Sequence, residues 1–109
     1  MPSNSSLLRT FLDVGKSPIH GTGLFAKKDI KRGTLLGEFT GRVVQNPRDE
    51  MHAVWRADGL YLQAANRLKY LNHADDPNAE LAFDPETEAV EVYSIRDIVA
   101  GAEVTVNYG

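Results

Sequence analysis

Asn72 and His73 stand side by side, preceded by Tyr70-Leu71 and followed by Asp76-Pro77-Asn78. Pro77 fixes its own φ and pushes Asp76 out of the helical region, so a turn closes the run. Both side chains carry donor and acceptor capacity, and near a core they must find partners. Neighbouring backbone can supply them, and so can a polar ligand. Gly21-Thr22-Gly23 lies just before the apolar run Leu24-Phe25-Ala26. Its glycines permit either a plain tight turn or the approach of a ligand to bare amides. The third glycine and following helix of a dinucleotide fingerprint are missing, which excludes a Rossmann site. Tyr108 ends a strand in phase with Val104 and Val106. Its phenol either reaches water or sits at the rim of a pocket.

Short β segments must position these residues. Residues 7–14 alternate loosely and read as a first strand, closed by Gly15 and Ser17-Pro18. Residues 34–44 are β-rich, with Gly37 and Gly41 marking bends or close backbone approach. A helix is expected over 47–58: Asn46 can cap it, Pro47 suits its first position, and Met51, Val54 and Trp55 share a face. A short strand at 60–62, a single helical turn at 66–71, a hairpin of 81–83 with 90–93, and a last strand at 103–108 complete the reading. Lys28-Asp29-Ile30 with Gly33 is echoed by Arg96-Asp97-Ile98 with Gly101, suggesting two similar turn-to-strand units. The expected fold is mainly β, with small curved sheets and one short helix.

The 109 residues make one domain, with a net charge of −3. That charge argues against a direct nucleic-acid surface and suits a basic peptide partner. Lys27, Lys28, Lys31 and Arg32 are interrupted by Asp29 and read as a solvated turn. No apolar stretch has the length of a membrane span, and no signal pattern opens the chain. With no cysteine, disulfides and thiolate metal sites are excluded, and a cytoplasmic setting is expected. His20, His52 and His73 form no i, i+4 pair, so no metal site is expected.

Taken in order, Gly21-Thr22-Gly23-Leu24-Phe25-Ala26, Asp29-Ile30, Gly33, Gly37-Glu38-Phe39, Asn66, Tyr70-Leu71-Asn72-His73, Pro77-Asn78, Arg96-Asp97-Ile98, Gly101-x-Glu103-Val104-Thr105-Val106 and Tyr108-Gly109 resemble a SET domain. Most protein-lysine methyltransferases that use S-adenosyl-L-methionine have this fold. The resemblance covers residues 16–109, leaving 1–15 as an N-terminal extension or first strand, and suggests a minimal member of prokaryotic or viral type. It implies a β-clip fold in which the Asn72-His73 segment meets the C-terminal strand in a knot-like crossing.

By that resemblance, Gly21, Thr22, Gly23 and Leu24 would lie along the methionine moiety, Asn72 would bind its amino group, and the His73 backbone would bind the adenine. Tyr70 would border the cofactor, and Tyr108 would be the catalytic tyrosine. Tyr61 would line the lysine channel. Val106 stands where an aromatic often limits the number of methyls, implying a roomier channel. The implied activity is methyl transfer to the ε-amine of a lysine in a protein, for which a histone-like basic protein is the family expectation. The alternative is a cofactor- or peptide-binding module that needs a partner or lid to act.

Two departures stand out. Ala74 and Asp75 replace the serine and cysteine common after the Asn-His pair, so the zinc site of many eukaryotic members cannot form. The sequence stops one residue after Tyr108, where most members continue into a segment covering the adenine. The expectation is either an open site, completed by a second subunit in a homodimer, by residues 1–14 or by the substrate, or a sequence truncated from a longer chain. A substrate acting in host chromatin or a nucleoid would place the protein there.

Overall fold

The computed structural model describes residues 3–45, 53–55 and 61–108. Helix α1 (Asn4–Phe11) precedes strands β1 (Leu12–Lys16), β2 (Thr22–Ala26), β3 (Leu35–Glu38), β4 (Gly41–Val44), β5 (Ala53–Trp55) and β6 (Tyr61–Ala64). A 3-10 turn (Arg67–Tyr70) leads into β7 (Asn72–His73), and β8 (Ala79–Asp84), β9 (Ala89–Ser94) and β10 (Glu103–Val106) follow. These strands form three small sheets, ordered β1-β2-β10-β7, β3-β9-β8 and β4-β6-β5.

The first sheet carries the site. Apolar residues in β2 and β10 draw the two strands together: Leu24 and Val104 are opposite each other and have no exposed surface. On its other edge β10 takes β7 in parallel, with Thr105 against Asn72 and Val106 against His73. The Ala74 N–H donates to the Val106 carbonyl at 2.9 Å and extends that pairing. The Asn78 side chain prolongs it further, donating to the Glu103 carbonyl and accepting from the Thr105 N–H (2.8 and 2.9 Å). Here a side-chain amide does the work of a strand.

The echoed segments meet face to face. Ile30 and Ile98 form an isolated antiparallel bridge, each N–H donating to the other's carbonyl (2.7 and 2.8 Å). Asp29 accepts from the Ala100 N–H at 2.9 Å, and Asp97 accepts from the Arg32 N–H at 2.8 Å. Gly33 and Gly101 occupy matching left-handed turns at φ +82° and +87°, where a side chain would be strained. The two turn-to-strand units therefore brace each other reciprocally.

Two sequence expectations are corrected. Residues 7–14 are not one strand, because the chain is helical through Phe11 before β1 begins. Leu8 and Phe11 lie on the packed side of α1, and Ser3 caps it by accepting from the Ser6 N–H at 3.1 Å. The Asn4 amide accepts from the Glu38 N–H and donates to the Glu38 carbonyl (2.7 and 3.0 Å), pinning the helix to β3. A Cβ on Gly37 would run into Leu8, so that glycine serves helix-to-strand contact. Asn4 and Leu8 thus dock α1 on β3.

The helix expected over 47–58 is replaced at 53–55 by β5, paired antiparallel with β6. There the β preference of Val54 and Trp55 prevails over helical spacing; residues 47–52 and 56–58 lie outside the described residues. The reciprocal carboxylate caps predict that Asp29→Ala and Asp97→Ala each cost about 1 kcal/mol. Urea unfolding checks this by comparing midpoints at constant slope.

Candidate active site

The β1–β2 hairpin supplies one wall of a cleft. Its loop, residues 17–21, closes when the Ser17 N–H donates to the Gly21 carbonyl at 2.8 Å. Gly21 has φ +42° and nothing within 4 Å of where a Cβ would stand, so its backbone faces open space. The other wall is the 3-10 turn and the start of β7. His20, Gly21, Thr22, Lys69, Tyr70, Leu71 and Asn72 line this cleft of about 170 Å³. Pockets for whole small molecules begin at roughly 300 Å³, so its size suits one end of an extended ligand.

Asn72 joins the two walls. Its Nδ2 donates to the His20 and Thr22 carbonyls, both at 3.1 Å, and to the Glu103 carboxylate at 2.9 Å. Three acceptors around one amide nitrogen settle which end of the side chain faces them. Among the described residues no donor meets its Oδ1 atom. Gly23 is buried behind this contact, where a Cβ would collide with Glu103 and crowd Ser17 and Asn72. It is glycine to admit the protein's own carboxylate and amide.

His73 is turned toward the C-terminal segment. The Tyr108 N–H donates to its Nδ1 at 3.2 Å, which places the ring proton on Nε2, 3.2 Å from an Asp75 oxygen. The Tyr108 ring stacks on the imidazole with centroids 6.4 Å apart. Asp75, standing where the resemblance suggested a metal-binding cysteine, instead orients this histidine.

The Tyr108 hydroxyl donates to the Leu71 carbonyl at 2.6 Å. Although 43% of the residue is exposed, its phenol end is enclosed, and burial pushes the phenol well above its ordinary value. At neutral pH the group is a fixed donor rather than a base.

Of the residues selected from sequence, Gly21, Thr22, Tyr70 and Asn72 share the cleft wall, while His73 and Tyr108 lie beside it through Leu71. Leu24 and Val106 have no exposed surface and lie in the core beneath it. The Tyr61 backbone pairs with Val44 and Trp55; its side chain lies outside the described residues. Sequence reading missed Lys69, whose ammonium lies 5.1 Å over the Tyr70 ring, and Glu103. A cation directly before the aromatic was a usable signal for Lys69. Glu103 gave none, because its place depends on β10 lying between β2 and β7.

Small curved sheets with β10 held between β2 and β7 make this a β-clip fold. The SET domain family model matches residues 21–109, and the chain belongs to that family. It is 28% identical over 88% of its length to the histone-lysine N-methyltransferase EZH2 of Chaetomium thermophilum, and 25% identical over 92% to the histone-lysine N-methyltransferase trithorax of Drosophila virilis. It spans only 8% and 3% of those proteins. A crystal structure of a Plasmodium falciparum candidate histone methyltransferase superposes with a TM-score of 0.77 at 23% identity, covering 92% of this chain and 94% of that one.

Burial of the Tyr108 phenol has a consequence for stability. Its folded pKa is raised above the ordinary 10.0, so the folded state holds the proton more tightly. That contribution is full below about pH 10 and is lost as pH rises through the folded value. Phenolate absorbance should show a last step that disappears in Tyr108→Phe, and the variant's stability should fall less steeply above pH 10.

Proposed function

We propose that this chain transfers a methyl group from S-adenosyl-L-methionine to the ε-amine of a lysine in a basic protein. The observation that carries this reading is the Tyr108 hydroxyl fixed on the Leu71 carbonyl beside the Gly21–Asn72 cleft. The residues present fit the cofactor: Asn72 Oδ1 is an acceptor for an ammonium, Lys69 is a cation for a carboxylate, and the Gly21 backbone leaves room between them. The adenosine would then extend past His73 over the open surface. When bound, the cofactor supplies an activated methyl on a positively charged sulfur.

The chain's remaining task is to present a neutral amine in line. A narrow, desolvated approach lowers an amine's pKa and favours the neutral form. The Tyr108 proton is committed to Leu71, so its oxygen accepts an N–H from the amine and aims the nitrogen lone pair. Backbone carbonyls near Leu71 can orient the methyl by weak C–H···O contacts. Tyr61 and Val106 are assigned to the lysine channel, Val106 acting from the core beneath. A valine at position 106, where the family often has an aromatic, is the basis for proposing a channel that admits more than one methyl. The net charge of −3 suits a lysine-rich partner.

A methyl-transfer assay on histones and other basic proteins, with mass spectrometry of the product lysines, tests the proposal. Tyr108→Phe should lower turnover by about 100-fold or more while S-adenosylhomocysteine binding stays near wild type. Unchanged turnover would remove Tyr108 from the mechanism. Tight cofactor binding by the wild type with no transfer to any substrate would favour a binding module.

A further inference from the structure

Among the described residues, the half-buried Glu103 carboxylate meets only neutral donors. The Ser17 hydroxyl reaches both of its oxygens at 2.8 Å, and Asn72 Nδ2 reaches one at 2.9 Å. Among the described residues no lysine or arginine forms an ion pair with it. A partly desolvated anion without a cation is costly unless something nearby supplies positive charge. The fold has nonetheless made room for it, since a side chain at Gly23 would collide with this carboxylate. The side facing the cleft is Asn72, whose amide separates Glu103 from the cavity.

Resting on the cofactor reading above, we propose that Glu103 is the positioning residue of the amino-acid end of the cleft and its counter-charge. It acts through Asn72. By taking the Nδ2 donor it turns Oδ1 toward the cavity, and its negative charge lies behind that oxygen. Both effects favour a ligand carrying an ammonium. Ser17 completes the device: its oxygen accepts from the Ile19 N–H at 3.0 Å, so its proton is directed to Glu103. A glutamine whose oxygen took the Oε2 position could still accept from both Ser17 and Asn72, so Glu103→Gln removes the charge behind Asn72 while keeping the acceptor, and Glu103→Ala removes both.

The competing explanation is that Glu103 only ties the β1–β2 loop to β10. Ligand dissection separates the two, using the full chain and isothermal titration. S-Adenosylhomocysteine carries the amino-acid end, whereas 5′-methylthioadenosine shares the nucleoside and thioether without it. Glu103→Gln should weaken S-adenosylhomocysteine by about 10-fold or more and leave methylthioadenosine within about twofold of wild type. Ser17→Ala, which keeps the charge and loosens its aim, should give a smaller loss with the same selectivity, and serves if the first variant does not fold. Equal losses for both ligands, or no loss for either, would overturn the assignment.

A ligand-free readout keeps this test separate from the cofactor reading. The Asn72 side-chain amide protons should exchange slowly in wild type and faster in Glu103→Ala, which removes the acceptor, by NMR; no change would overturn the positioning role. If the wild type binds neither nucleoside, the cofactor reading fails and the ammonium selectivity fails with it. The exchange result still decides whether Glu103 sets the amide.

Discussion

Strand β10 is engaged on both edges, antiparallel to β2 and parallel to β7, with Val104 and Val106 fully buried and Thr105 nearly so. That arrangement brings together segments far apart in sequence. The β1–β2 hairpin reaches the Asn72-His73 pair only because β10 lies between them. Tyr108 reaches Leu71 only because it leaves the end of the same strand. Losing the β7 pairing would separate the cleft wall from the phenol, whatever became of the rest of the core.

Side-chain amides hold much of this together. Asn4 bonds both backbone groups of Glu38, and Asn78 bonds the backbone of Glu103 and Thr105. Asn72 spans the cleft in a related way, donating to two carbonyls and a carboxylate. Asparagine can act as donor and acceptor at once, so it suits junctions where regular pairing ends but backbone groups remain. At Asn4 and Asn78 both ends of the amide are used by the protein. At Asn72 the described residues use only the donor end, and the proposed ligand contact rests on that difference.

Much of this was legible in the sequence wherever a signal was local. The 81–83 and 90–93 hairpin and the twin Asp-Ile-x-x-Gly segments announced themselves by alternation and repetition, and a helical turn was expected at 66–71. The Asn72-His73 pair and Tyr108 stood out because their polarity interrupts apolar runs. Failures arose where tertiary contact decides. Residues 7–11 carry a pattern compatible with either period, and the docking of Asn4 on Glu38 tipped them into helix. Residues 53–55 follow their pairing with β6 rather than helical spacing. Gly23 looked like a glycine cleared for a ligand, yet the space is taken by Glu103, Ser17 and Asn72. Nothing local links positions 17, 72 and 103.

The central claim is that the β2–β10–β7 assembly builds one cofactor site from the hairpin loop, the Asn72-His73 pair and the C-terminal tyrosine. Amide NMR spectra recorded while S-adenosylhomocysteine is added test it most directly. The account predicts saturable shifts concentrated at Gly21, Thr22, Asn72, His73 and Tyr108, with the α1–β3 contact around Asn4 and Glu38 unmoved. Saturable shifts centred on another face, or none at concentrations that saturate other methyltransferases of this family, would contradict it.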